Sequence, residues 1–181
     1  YAIRLLPIGG YVSMVGEDEE SERDDAFGNR PVWKRILIVI AGPVMNLILG
    51  FLAMLVMVTS SGQLYGTEIV YPDNGKVQIS DAAGLDNGDI ILKVGSVGVH
   101  TRNELVYEIL RQGTEPIDIT VRRDGEKVTV HDVIFPTIEE SGVVFGGVDF
   151  YGNEETFTFG NVMKHTFFRS ISTVKMIVDS F

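Results

Sequence analysis

Residues Ile36 to Val58 read ILIVIAGPVMNLILGFLAMLVMV, 23 positions without a charge. At about 1.5 Å per helical residue the run is about 35 Å long, enough to cross a bilayer core of about 30 Å. Gly42, Pro43 and Asn46 lie inside it. Pro43 removes a backbone donor, and Asn46 places an amide where lipid offers no hydrogen bond. A plain anchor needs neither. The run therefore reads as a spanning helix that packs against other membrane helices or lines a site. Gly42, Asn46 and Gly50 are four apart, hence on one helix face, with Ala53 close by. Such a face allows close helix approach and supplies one polar group. Two readings stay open: helix packing, or an Asn46 amide turned toward a substrate or active-site cavity.

Arg30, Lys34 and Arg35 stand just before the run with Trp33 among them, and no Lys or Arg follows it until Lys76. The one-sided charge puts the 35 side in the cytoplasm and residues after 59 outside. Residues 1–14 are mostly apolar but broken by Pro7, Gly9 and Gly10. They are too short to span, and fit a bent hairpin or re-entrant strand pair, or a soluble core hairpin. Residues 16–29 are acidic and polar, the composition of a solvated loop.

The 181 residues suffice for one soluble domain plus membrane elements. A 45% hydrophobic content and a mean hydropathy of +0.17 are high for a soluble protein, and the 36–58 run carries much of the excess. Net charge −10 without a polybasic patch argues against a nucleic-acid partner. The absence of cysteine removes disulfides, thiol catalysis and Cys-zinc sites. The chain opens on Tyr1 with no signal peptide before the span, and reads as the middle of a longer protein.

Beyond the span the pattern changes. Glu68–Tyr71 and Lys76–Ile79 look like short strands around a Pro72-Asp73-Asn74-Gly75 turn, and Asp89–Val94 like a β-rich strand. Thr101-Arg102-Asn103-Glu104 is a capping box opening a helix with Leu105, Val106, Ile109 and Leu110 on one face. Ile117–Arg122 and Lys127–Ile134 flank Asp124-Gly125, a hairpin signal. The expected fold class is α+β. Its parts are a hairpin at 1–15, an acidic loop at 16–35, a transmembrane helix at 36–58 and a small domain at 64–136. A strand or linker at 137–156 and amphipathic helices at 157–181 follow. In the last segment Phe159, Val162, Met163, Phe167, Ile171, Val174, Ile177 and Val178 recur at helical spacing. Lys164, His165, Arg169, Lys175 and Asp179 interrupt them, which suits a helix on a membrane surface, packed on a neighbour, or facing a soluble core.

Ala83-Gly84-Leu85-Asp86-Asn87-Gly88-Asp89-Ile90-Ile91 combines two glycines that allow unusual backbone shapes with an acceptor at Asp89 and an apolar run entering a core. It resembles the AGLxxGDxI signature of PDZ domains, carried here by Ala83, Gly84, Leu85, Gly88, Asp89, Ile90 and Ile91. Pro7-Ile8-Gly9-Gly10-Tyr11-Val12, then Ala41-Gly42-Pro43-Val44-Met45-Asn46 in a span, then a PDZ-like domain, is an order that resembles the bacterial site-2 protease family. These are zinc intramembrane metalloproteases of the RseP/RasP type, peptidase family M50, and the likeness covers nearly the whole chain.

The resemblance implies roles. Gly9, Gly10, Tyr11 and Val12 would belong to a membrane-associated β-hairpin that pairs with an unwound substrate helix. Gly42, Pro43, Asn46 and Gly50 would bring the substrate backbone near zinc. The PDZ-like domain would lie outside the bacterial inner membrane and screen substrates by the bulk of their outer part. Implied partners are transmembrane protein substrates such as anti-sigma factors or signal peptides, the lipid bilayer, and a peptide in the PDZ groove. The family's zinc ligands, a His-Glu-x-x-His helix and a later Asp, have no counterpart here: His100, His131 and His165 lack that spacing. The expectation is a substrate-handling central part of a regulated intramembrane protease, with zinc bound outside this chain and no activity on its own. The alternative is a membrane-anchored PDZ adaptor without catalysis. A tethered serine protease finds no Gly-x-Ser-x-Gly element.

The charge bias makes a topological prediction. Single cysteines at Ser13 and Asn74 should differ toward an impermeant thiol reagent on intact cells. Asn74→Cys should label and Ser13→Cys should not; the reverse pattern overturns the orientation.

Overall fold

The computed structural model describes residues 26–73 and 75–179. The hairpin expected at 1–15, with Gly9, Gly10, Tyr11 and Val12, and most of the acidic loop lie outside the described residues. After a 3-10 turn at Phe27–Asn29, helix α1 runs from Val32 to Ser61, 30 residues. The apolar run lies wholly inside it, and Pro43 is accommodated within the helix. At about 1.5 Å per residue α1 is about 45 Å long, longer than a bilayer core of about 30 Å. By compactness the chain divides into one unit up to Leu49 and another from Gly50 onward.

In the second unit, Gly62 turns the chain with a φ of +66° and strand β1, Leu64–Val70, begins two residues after the helix. A single helical turn α2, Ile79–Ala82, precedes β2, Ile90–Val94, and the short β3, Val97–Gly98. Helix α3, Arg102–Gln112, leads to β4, Ile117–Arg123, and β5, Glu126–Val133. A hairpin of β6, Thr137–Glu140, and β7, Val143–Gly146, is followed by β8, Tyr151–Glu155, and helix α4, Phe159–Asp179. The main sheet has the order β5-β4-β2-β1-β8, all antiparallel, with β3 on β2, and β6 pairs only with β7.

The β4–β5 hairpin follows from its turn. Asp124 and Gly125 both take positive φ, 51° and 88°, the handedness that matches strand twist, and Arg123 pairs with Glu126. The start of α3 follows from Thr101 and Glu104. Glu104 makes the hydrogen bonds of the box: its Oε2 accepts from the backbone N–H of His100 at 2.7 Å and of Thr101 at 3.2 Å. The apolar face of α3, Leu105 and Ile109, packs with Ile69, Leu85, Ile91, Val94, Ile119, Val121, Val133 and Phe150 into one core. Each such side chain contributes about 1.5–3 kcal/mol when fully buried.

The structure differs from the sequence reading in two places, at Lys76–Ile79 and in the C-terminal helix. Lys76–Ile79 is not a strand, and its end enters α2. The cause is a distant residue: the Asp149 carboxylate accepts from the Ser80 backbone N–H at 2.9 Å and from its hydroxyl at 2.6 Å, capping the turn. Within the strand or linker expected at 137–156, β8 extends the sheet, with Leu64 opposite Glu155 and Val70 opposite Tyr151. From Phe159 to Asp179 the chain is one continuous helix rather than several.

Helix α4 is fastened to α3 through Glu108, a carboxylate only 2% exposed. It accepts from Arg111 at 2.8 Å, from Gln112 at 2.5 Å and from Lys175 of α4. Burial by itself pushes the Glu108 carboxyl up, but the hydrogen bonds from Lys175, Arg111 and Gln112 outweigh it and hold it below its ordinary 4.5. A carboxylate whose folded pKa is lowered stabilises fully above its unfolded pKa and loses that contribution as pH falls through the folded one. Urea midpoints should thus be level near neutral pH and decline below about pH 4.5. Glu108→Gln should lower the neutral-pH midpoint and flatten part of the acid decline.

Candidate functional site

The α1 face expected from spacing is present. Gly42, Pro43, Asn46 and Gly50 all lie on continuous helix, and all are exposed. A methyl built on Gly42 or Gly50 would meet nothing within 4 Å. The face is thus open along an apolar helix, with the Asn46 amide as its polar group. An amide carries two donors and one acceptor, which can replace hydrogen bonds lost by an unwound backbone in an apolar medium.

The second constellation, Ala83 to Ile91, is a structural joint. Gly84 and Gly88 take φ of +104° and +92°, conformations that side chains resist. Leu85 and Ile91 are fully buried, and Ile90 is partly buried. Asp89, 2% exposed, accepts from the Asp86 backbone N–H at 2.9 Å. Arg123 donates to Asp89 in fork fashion, from Nε to Oδ1 at 2.9 Å and from Nη2 to Oδ2 at 2.7 Å. It also reaches the Gly84 carbonyl at 2.9 Å and pairs with Asp86 at 2.7 Å. The turn is closed on β1 by Gly88 N–H to Ile69 O at 2.9 Å and Ile69 N–H to Asp89 O at 2.8 Å. All the polar groups of Asp89 therefore face the protein. Arg123 was not legible as its partner: it lies 34 residues away, and strand register alone brings it over the turn.

The sheet ends at β8, whose outer edge has no strand partner among the described residues. Near that strand a methyl on Gly152 would come within 3.2 Å of the Arg102 side chain at the start of α3. At the other end of α3, Gly146 lies so close to the Ile109 carbonyl and Gly113 that no side chain could fit there. The chain from β7 to β8 thus runs alongside α3 and leaves one strand edge beside it.

The three histidines do not converge. His100 sits by Glu104 at 3.5 Å and stacks on Phe168 with ring centroids 3.9 Å apart. His131 pairs with Asp118 at 3.0 Å. His165 is fully buried against Glu155 at 3.2 Å; burial pushes its imidazole below the ordinary value, with the Glu155 hydrogen bond opposing. Among the described residues no three His, Cys, Asp or Glu side chains gather where they could hold a metal ion. Their donor sets do not fit a zinc centre, which needs at least three protein ligands on one atom.

A long apolar helix with a Gly-Asn-Gly face, long and apolar enough to cross a membrane, a β-rich unit and a C-terminal helix define an α+β chain. The whole chain, residues 1–181, matches the model of Peptidase family M50, and the chain belongs to that family. A Clostridium acetobutylicum protein named as a zinc metalloprotease is 36% identical over 135 residues, covering 72% of this chain and 38% of its own length. Zinc metalloprotease RasP of Shouchella clausii is 38% identical over 100 residues, 55% of this chain and 23% of RasP. Metalloprotease MmpA of Caulobacter vibrioides is 29% identical over 165 residues, 77% of this chain and 40% of MmpA. The chain therefore spans less than half the length of each of these relatives.

The joint is open to a direct test. Gly88→Val should destabilise by at least about 1 kcal/mol through its positive φ, although space for a methyl is open. Arg123→Ala should cost more, about 3 kcal/mol, because it strands the buried Asp89 carboxylate. Urea midpoints of the two variants give the order, and equal midpoints would contradict it.

Proposed function

We propose that this chain is the substrate-handling central part of a zinc-dependent intramembrane metalloprotease. The observation that carries the reading is the bare Gly42–Asn46–Gly50 face on the apolar helix of a chain that belongs to Peptidase family M50. Protease action inside a membrane has a physical obstacle. A substrate helix satisfies its own backbone groups, and unwinding it in lipid leaves them unpaired at several kcal/mol each, roughly. Glycines at 42 and 50 admit a backbone closely, and the Asn46 amide offers the missing hydrogen bonds.

The other parts take their places around that face. Gly9, Gly10, Tyr11 and Val12, which lie outside the described residues, are assigned by the family resemblance to an edge that would add to the unwound substrate as a strand. Residues 16–35 are cytoplasmic, 36–58 span the bacterial inner membrane, and the 64–136 region is an extracytoplasmic PDZ-like domain. Its signature turn and capped helix α3, together with the strand edge that β8 adds from beyond the region, suit a groove that accepts an extended peptide. The substrates are membrane-spanning proteins such as anti-sigma factors or signal peptides. The zinc ligands and the catalytic base belong to parts of the protein outside these residues, and this chain does not cleave alone.

Asn46→Leu in the intact protein separates substrate handling from helix packing. Cleavage of a transmembrane substrate per folded, zinc-loaded molecule should fall at least about tenfold, the effect of losing one well-placed hydrogen bond, with abundance near normal. Lower abundance with unchanged specific activity would instead assign Asn46 to packing and end the substrate role.

A further inference from the structure

Strand β8 has one edge without a strand partner among the described residues, and the start of α3 lies beside it. The far side of α3 is already engaged by α4. There Glu108 takes the Lys175 ammonium, and the Tyr107 hydroxyl donates to Asp179 at 3.1 Å. The side toward β8 is the one left open. An edge strand offers unused N–H and C=O groups, and an extended segment can complete them. Backbone bonds of that kind do not read a sequence. The charges that flank the edge do.

Successive residues of a strand alternate between faces, so Gly152 and Glu154 share one face of β8. These two places carry opposite charge. A methyl built on Gly152 would stand 3.2 Å from Cδ of Arg102 and 3.3 Å from its Nη1, so this guanidinium lies over the start of the strand. Arg102 is half-buried, and among the described residues no carboxylate pairs with it. Arg169 brings a second cation to the start of α3. Its Nη2 donates to Asn103 Oδ1 at 3.2 Å, and it too has no carboxylate partner among the described residues. Glu104 does not fill that role, since its carboxylate accepts from the backbone N–H groups of His100 and Thr101. At 154 the sign reverses. Glu154 is exposed and has no cation partner among the described residues, whereas both oxygens of its neighbour Glu155 accept from Lys164, at 2.6 and 2.7 Å.

We propose that the β8 edge selects an extended segment bearing a cationic side chain and, two residues nearer its C-terminus, a carboxylate. The inference rests on the reading of this edge as one that accepts a peptide, and it names what the edge would choose. An added strand that continues the antiparallel pattern of the sheet runs opposite to β8. Its residue facing 154 then comes before its residue facing 152. Lys or Arg therefore comes first and meets Glu154, and Asp or Glu follows and meets the fork of Arg102. The charges also set the register, because a slip of one residue carries both side chains to the other face.

Two fluorescein-labelled peptides, Thr-Val-Lys-Val-Glu-Val-Thr and Thr-Val-Glu-Val-Lys-Val-Thr, have the same composition and net charge and differ only in charge order. In anisotropy titrations against the 181-residue chain in uncharged detergent micelles, the first should bind about fivefold more tightly, a gap that narrows as salt is raised. Arg102→Glu combined with Glu154→Arg should reverse the order. Equal affinities for the native chain, or an order that the double exchange leaves unchanged, would overturn the charge selection while the edge stands as a peptide site. A native preference for the second peptide would overturn the antiparallel assignment and the proposed motif with it. If neither peptide binds, the reading of the edge fails and takes this inference with it.

Discussion

In the proposed reading of α1 as a membrane span, lipid cannot hydrogen-bond, and this one constraint organises the chain. It requires α1 to satisfy its own backbone from Val32 to Ser61, even around Pro43, and it makes the Asn46 amide an exception that needs a reason. The same constraint gives the Gly42–Asn46–Gly50 face its proposed use. A substrate helix brought to that face has the same backbone demands as α1, and cannot be unwound unless something else meets them.

In the β-rich unit several polar groups are handled in the opposite way, by pairing within the fold. Asp89 is satisfied by Arg123 and the Asp86 amide, Ser80 by Asp149, Glu108 by Arg111, Gln112 and Lys175, and Glu155 by Lys164 and His165. Removing one partner of such a set costs more than the bond itself, because the other is left buried and unpaired. Two of the four sets, those of Glu108 and Glu155, join α4 to the unit. That helix is therefore held by polar contacts, which leaves its apolar residues on the outside.

The family relationship and the geometry constrain each other. The match to Peptidase family M50 runs over the whole chain, yet the described residues gather no metal-binding set. What the described residues do show is an open Gly42–Asn46–Gly50 helix face and an unpaired strand edge at β8.

Much was determined by sequence alone. The apolar run, its Gly-Asn-Gly face, the α3 capping box and the Asp124-Gly125 hairpin are local, set by hydropathy, spacing and turn chemistry within a few residues. The PDZ-like glycine positions at 84 and 88 were legible for the same reason, and both take positive φ. Tertiary structure decided what depends on partners far along the chain. Lys76–Ile79 leads into a helical turn because Asp149 caps Ser80, and Arg123 reaches Asp89 through strand register. Residues 151–155 become the sheet edge by pairing with β1. The periodicity of α4 showed that it was amphipathic, but periodicity cannot say which side turns inward. That followed from Glu108, Glu155, Asn103 and Tyr107, whose positions are set by other elements and which draw the charges of α4 toward the protein.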